Sequence, residues 1–173
     1  MHGLKLKETN IIQTIRESAV GLSAHDNIEI IIKSFLNDET VWIDNEQIKT
    51  VFYDLITNAV DSMPEGGTVK ITFEGDERVV LITLTDSGTG IAEENMPLLF
   101  TPFFTTKAIG DGTGLGLPQA FAAIKAHGGS INIESNADST KGPTGTTVKV
   151  VLPRRMFFRE NKAKLILHDE EGE

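Results

Sequence analysis

Two short runs of alternating apolar residues, Val69–Phe73 and Val79–Thr85, stand only a turn apart, and nothing in the chain limits its fold more. Each run has the period of a strand with one apolar face. Gly75-Asp76-Glu77 between them leaves room for a tight turn and none for a crossover, so the two strands form a hairpin. Strand signals recur in the same adjacent fashion at 28–35 (IEIIIKSF) with 40–43 (TVWI), and at 130–135 with 146–152. Helices are expected at 10–22, 44–63 and 115–127. Asn10 and Gln13 open the first as a capping box, and Asp44 or Asn45 caps the second. Pro118 sits in the first turn of the third, with Gly128 just past its end. Paired strands without alternating helices predict an α+β two-layer sandwich, not a doubly wound parallel sheet. Its sheet should be mixed and mostly antiparallel, of about five strands, with three helices on one face.

The 44–63 helix has two contrasting faces. Ile48, Val51, Phe52, Leu55, Ile56, Ala59, Val60 and Met63 recur at helical period. Opposite them Asp54, Asn58 and Asp61 stack at i, i+4 and i+7, with Gln47 and Thr50 extending the row. Two readings fit that row: a solvated face, or a site in which a carboxylate and an amide oxygen one turn apart hold Mg²⁺. Short Asp and Asn are poor helix formers, which weighs toward a site.

Residues 86–116 hold six glycines and two prolines around an apolar island at Leu98, Leu99, Phe100, Phe103 and Phe104. A long irregular segment inside a compact domain is more often a functional loop than an accident. Asp86-Ser87-Gly88-Thr89-Gly90-Ile91 puts a carboxylate at a strand end, where it can accept from an amino group; an ordinary turn fits the same residues. Gly112-Thr113-Gly114-Leu115-Gly116-Leu117 opens a helix, whose free N–H groups suit a phosphate. No strand leads directly into this run, so the dinucleotide reading fails, and no GxxxxGK(S/T) run is present, so a P-loop is excluded.

Composition removes other classes. The chain of 173 residues has no cysteine, which excludes disulfides, thiolate zinc sites and a cysteine nucleophile, and fits a reducing cytosol. A net charge of −9 speaks against nucleic acid as a partner. No apolar run approaches the ~20 residues of a membrane helix, and MHGLKLKETN does not read as a signal peptide. A cytoplasmic location without direct membrane contact is the expectation.

Taken together these segments resemble the catalytic, ATP-binding domain of sensor histidine kinases, in the GHKL (Bergerat) ATPase superfamily. Asp54-Leu-Ile-Thr-Asn58-Ala-Val-Asp61 is similar to the asparagine box, and Asp86-Ser-Gly88-Thr-Gly90-Ile91 to the first glycine box. Phe100-Thr-Pro-Phe103-Phe104-Thr105-Thr106-Lys107 is similar to the phenylalanine box, and Gly112 to Leu117 to the second glycine box. Gly145-Thr146-Thr147 is similar to the closing glycine motif. The boxes fall in family order, and the likeness runs from about residue 4 to 153.

The resemblance implies a Bergerat fold that binds ATP and Mg²⁺, with Asn58 and Asp54 at the metal. Asp86 would accept from the adenine amino group, and Gly88 and Gly90 would let the base lie against the backbone. Asp61, Ile91, Phe100, Phe104, Thr105, Thr106, Lys107, Gly112, Thr113, Gly114, Leu115, Gly116, Leu117 and Thr146 would complete the nucleotide site. Asp54, Asn58 and Lys107 would carry the catalytic roles. Residues 92–113 would form a mobile lid, anchored by Phe100, Phe103 and Phe104. Two positions depart from the commoner pattern: Asp54 stands where many kinases have Asn and hydrolytic relatives a catalytic Glu, and Asp61 where some kinases carry a Lys.

The histidines are His2, His25, His127 and His168, none in a His-Glu-rich acceptor helix. His127 reads as structural and His25 as a loop residue. The implied function is therefore transfer of the γ-phosphoryl of ATP to a histidine on separate dimerisation helices, in cis or trans, with a response regulator receiver domain downstream and this domain a monomer. A self-sufficient ATPase with Asp54 as base, an anti-sigma-type serine kinase and a nucleotide-sensing module are the alternatives. The domain is expected over 1–153. Residues 154–173 then form a tail or linker whose Lys164-Leu165-Ile166-Leu167 run, ending in acidic residues, resembles the first strand of a receiver domain.

Overall fold

The computed structural model describes residues 3–22, 27–107 and 112–155. His2, His25, His168 and the 164–171 run lie outside the described residues. In chain order the elements are β1 (Lys7–Asn10), α1 (Ile11–Ser18), β2 (Ile28–Ser34), β3 (Thr40–Ile43) and α2 (Asn45–Asp61). They continue with β4 (Gly67–Gly75), β5 (Val79–Asp86), a 3₁₀ helix (Glu93–Leu98), α3 (Gly116–Ala126), β6 (Ser130–Asn136) and β7 (Gly145–Pro153).

The hairpin stands as expected. β4 and β5 pair antiparallel, and Asp76 closes the turn by accepting from the N–H groups of Arg78 (2.7 Å) and Val79 (3.0 Å). The main sheet has five strands in the order β2-β4-β5-β7-β6, with β2–β4 parallel and the other pairs antiparallel. Its inner face carries Val69, Ile71, Phe73, Val80, Ile82, Leu84, Val148, Val150 and Leu152, all buried. Against it lie the apolar stripe of α2 (Ile48, Val51, Phe52, Leu55, Ile56), Ala120 and Ile124 of α3, and Ile11, Ile12 and Ile15 of α1. Burial of this contiguous apolar surface drives the fold.

Two features differ from the sequence expectation. β2 and β3 are not partners: β3 pairs antiparallel with β1 in a separate two-stranded sheet, and β2 reaches β4 only after the chain has crossed through α2. A helical crossover is what a parallel pair requires. The first helix is also shorter than 10–22. Asn10 caps it as expected, accepting from Gln13 N–H at 3.0 Å, but its regular turns end at Ser18 and Gly21 takes φ +86°.

Arg154, one residue past the expected boundary, joins the two sheets. Its N–H donates to Arg78 O (2.8 Å) and its carbonyl accepts from Trp42 N–H (2.9 Å). Its Nη1 reaches Thr40 O at 2.9 Å. Across the molecule His127, 1% exposed, fastens α3 to the start of α2: its Nε2 accepts from Asp44 N–H (3.0 Å) and its Nδ1 donates to Ala123 O (2.8 Å). The structural reading of His127 is thus correct. Asp44 in turn caps α2 through Gln47 N–H (3.3 Å) and accepts from Lys5 N–H (3.0 Å).

Candidate functional site

A cavity of about 730 Å³ opens between the polar row of α2, the end of β5 and the segment that follows it. Its size suits a small-molecule ligand. Asp54, Asn58 and Asp61 form one wall, so this part of the α2 row borders a cavity, with Asp61 at its exposed end. Leu84, Ile133, Thr146 and Val148, inward residues of the sheet, make the floor. Gly90 and Ile91 close one side, and Phe104, Thr105, Thr106, Lys107, Gly112, Thr113, Gly114, Gly116 and Leu117 the other.

Asp86 is set at the base of the cavity by the last register position of β5. It is 7% exposed, and its Oδ1 accepts from the N–H groups of Gly88 (2.9 Å) and Thr146 (3.1 Å), with Ser62 Oγ 3.5 Å away. No described residue donates to its Oδ2, which leaves that atom for a ligand donor. Burial raises the Asp86 carboxyl above its ordinary range, against the lowering effect of those three neighbours. Gly90 has φ +75°, and a Cβ there would lie 2.0 Å from Asn136 O, so only glycine fits between the cavity and β6.

At the opposite end a cation sits against the α2 row. Lys107 pairs with Asp61 Oδ2 and donates to Asn58 Oδ1 at 3.3 Å. Burial lifts the Asp54 carboxyl, and the charge of Lys107 opposes it. The donors here are hard oxygens around a place that already attracts positive charge. Among the described residues no group of three or more His, Cys, Asp or Glu side chains could enclose a metal. One carboxylate, of Asp54, and one amide oxygen, of Asn58, fit the chemistry of Mg²⁺, which uses one or two protein ligands and keeps water or phosphate for the rest.

Three expected ligand residues do not line the cavity. Gly88 lies against Ser62, where a Cβ would come within 1.8 Å of the Ser62 Oγ. Phe100 turns away to pack on Phe121, with ring centroids 5.1 Å apart. Leu115 is the N-cap position of α3 and is likewise not on the wall. Phe103 does not anchor the lid: it is 75% exposed, turned outward by φ +68°, with its N–H on Gly114 O (2.9 Å). Phe100 and Phe104, together with Leu99, do pack against the core.

The cavity also holds residues that sequence reasoning missed, among them Thr57, Ser62 and Thr89. Thr57 Oγ1 is the one buried side-chain polar atom without a partner among the described residues. Its place at i−1 from Asn58 was the available signal.

Residues 43–156 match the family described as histidine kinase-, DNA gyrase B-, and HSP90-like ATPase. Sporulation kinase A of Bacillus subtilis (strain 168) is 38% identical over 149 residues, covering 84% of this chain and 23% of that protein. The nucleotide-free catalytic domain of histidine kinase ThkA superposes with a TM-score of 0.75 at 32% identity, covering 87% of this chain and 96% of that one. ThkA in complex with the response regulator protein TrrA gives a TM-score of 0.70 at 28% identity, covering 88% of this chain and 42% of that one. The chain spans about a quarter of the length of the curated relatives it matches.

Proposed function

The chain belongs to the histidine kinase-, DNA gyrase B-, and HSP90-like ATPase family, and on that premise we propose that it is the ATP-binding catalytic domain of a sensor histidine kinase. In this reading the domain binds Mg²⁺·ATP and presents the γ-phosphoryl to a histidine on separate acceptor helices. The imidazole lone pair attacks phosphorus, the P–O bond to ADP breaks, and ADP leaves. The observation that carries the reading is Asp86, held rigidly by two N–H groups with one oxygen free at the base of the cavity. A carboxylate so placed accepts from an exocyclic amino group and rejects a carbonyl, which favours adenine over guanine.

Asn58 and Asp54 would hold the ion, and the ion when bound would neutralise phosphate charge. Lys107 brings a further positive charge from the lid, and Gly112, Thr113, Gly114 and Gly116 line the same cavity. Positioning and charge neutralisation are most of what phosphoryl transfer asks of a protein. A response regulator as downstream partner is supported by the ThkA–TrrA complex, and a cytoplasmic site of action by the use of ATP. Among the described residues no helix is long and apolar enough to cross a membrane.

Calorimetric titration with ATP, with and without Mg²⁺, tests the reading. Binding to the wild-type chain should depend on Mg²⁺ and weaken at least ~10-fold in Asn58→Ala. No binding to the wild-type chain would refute it. A second reading, self-sufficient hydrolysis, draws on the raised Asp54 carboxyl, which suits a general base. Steady ATP turnover without an acceptor, abolished by Asp54→Asn, would select it.

A further inference from the structure

Ser135, on β6, does not line the cavity, yet its hydroxyl joins two of the cavity's walls. In register it stands opposite Thr146 of β7. Its Oγ accepts from the Ile91 N–H at 2.8 Å, lies 3.0 Å from Gly145 O and 2.8 Å from Thr146 Oγ1. Ile91 belongs to the loop that passes over the cavity, and Thr146 both lines the cavity and donates its N–H to Asp86 Oδ1. One hydroxyl thus connects the segment on one side of Asp86 to the strand on the other.

We propose that Ser135 is the positioning residue of the base-recognition wall: it holds the Ile91 loop and the Thr146 hydroxyl in the geometry that lets Asp86 read an aminopurine edge. The proposal rests on the nucleotide reading above and deepens it. A serine hydroxyl has one proton and two lone pairs. One lone pair is used by Ile91 N–H. If the proton goes to Gly145 O, the second lone pair takes the Thr146 proton, and Thr146 shows only acceptors to the cavity. If the proton goes to Thr146, the Thr146 proton is free to donate into the cavity. Both states satisfy the Ser135 hydroxyl and keep its link to Thr146, so the wall can meet a donor or an acceptor beside Asp86 without moving. Alanine abolishes both states and leaves the Ile91 N–H without its acceptor. The loop is then released from β6 at the point where Gly90 passes under Asn136 O with no space to spare.

The test compares ATP with inosine triphosphate, whose base carries a carbonyl in place of the amino group. Affinities for both are measured on the whole chain as wild type, Ser135→Ala and Ser135→Thr. The expected result is about a tenfold loss of ATP affinity in Ser135→Ala, a smaller loss for inosine triphosphate, and recovery in Ser135→Thr. The preference for ATP should shrink accordingly. Equal losses for the two nucleotides, or unchanged ATP affinity in Ser135→Ala, would overturn the assignment while leaving the nucleotide reading intact. A wild-type chain that binds neither nucleotide would overturn both.

Discussion

Gly88→Ala is a sharp test of how the site is built. The methyl group would be placed 1.8 Å from Ser62 Oγ, 2.7 Å from Ser62 Cβ and 2.9 Å from Ser62 O. All three separations are shorter than van der Waals contact, and none is relieved cheaply. Ser62 Oγ donates to Ala59 O at 2.7 Å, and Ser62 O accepts from Thr89 N–H at 3.0 Å. Overpacking of this kind costs about 1–3 kcal/mol, and the hydrogen bond lost as Ser62 turns away adds ~1 kcal/mol. A loss of roughly 3 kcal/mol lowers the midpoint of thermal unfolding by about 6–12 °C in a domain of this size. Urea denaturation followed by far-UV circular dichroism measures it. The companion variant Ser62→Gly/Gly88→Ala removes the two closest contacts and leaves the carbonyl one. The double-mutant cycle should therefore show a favourable coupling of ~1–2 kcal/mol. A Gly88→Ala protein within ~0.5 kcal/mol of wild type, or a coupling near zero, would show that the helix end and the loop are not in this contact.

Three further outcomes follow from the same geometry. Because burial raises Asp86 in the folded chain, the folded state binds its proton more tightly than the unfolded one, and stability falls as pH rises through that window; Asp86→Asn should match or exceed wild-type stability near neutral pH, lose the advantage at about pH 4, and bind ATP more weakly. A lower urea midpoint than wild type confined to neutral pH would contradict this. Lys107→Met removes a pair whose side chains are 34% and 45% exposed, so unfolding should change by less than ~0.5 kcal/mol, while thermolysin should cut between 101 and 115 faster; identical cleavage would mean the tether is idle. His127→Ala should cost about 2–4 kcal/mol and His127→Phe, which keeps most of the volume, about 1–3 kcal/mol; a cost under ~1 kcal/mol for Ala would remove His127 as the α2–α3 fastening.

The sequence was most readable where one element decides the outcome. The helical period of 44–63 disclosed both the buried stripe and the row Asp54, Asn58, Asp61, because a helix face depends only on residues three and four apart. The alternation of 69–73 and 79–85 did the same for the hairpin and put Asp86 at a strand end. What escaped was set by distant neighbours. Lys7–Asn10 has a polar sequence and is a strand only because β3 lies beside it. The parallel partnership of β2 with β4 leaves no mark in either strand. Gly88 reads like any glycine that admits a ligand, and only the position of Ser62 shows that it admits a helix. Phe103 carries the same apolar signal as Phe100 and Phe104, but its left-handed backbone turns it to solvent.

Arg154 gives the domain a mechanical property. Strand β3 is gripped on one edge by β1 and on the other by the Arg154 carbonyl and guanidinium. A pull between Lys7 and Arg154 therefore loads β3 in shear. From there force can spread sideways into the β4–β5 turn, through Arg78 and Asp76, or run along the chain across Asp44 into the helix that bears Asp54 and Asn58. The second route is braced where it starts, by Lys5 on the Asp44 side chain and His127 on its backbone. Tension between Lys7 and Arg154 therefore has two paths, and the one that leads to the wall of the cavity passes through that brace.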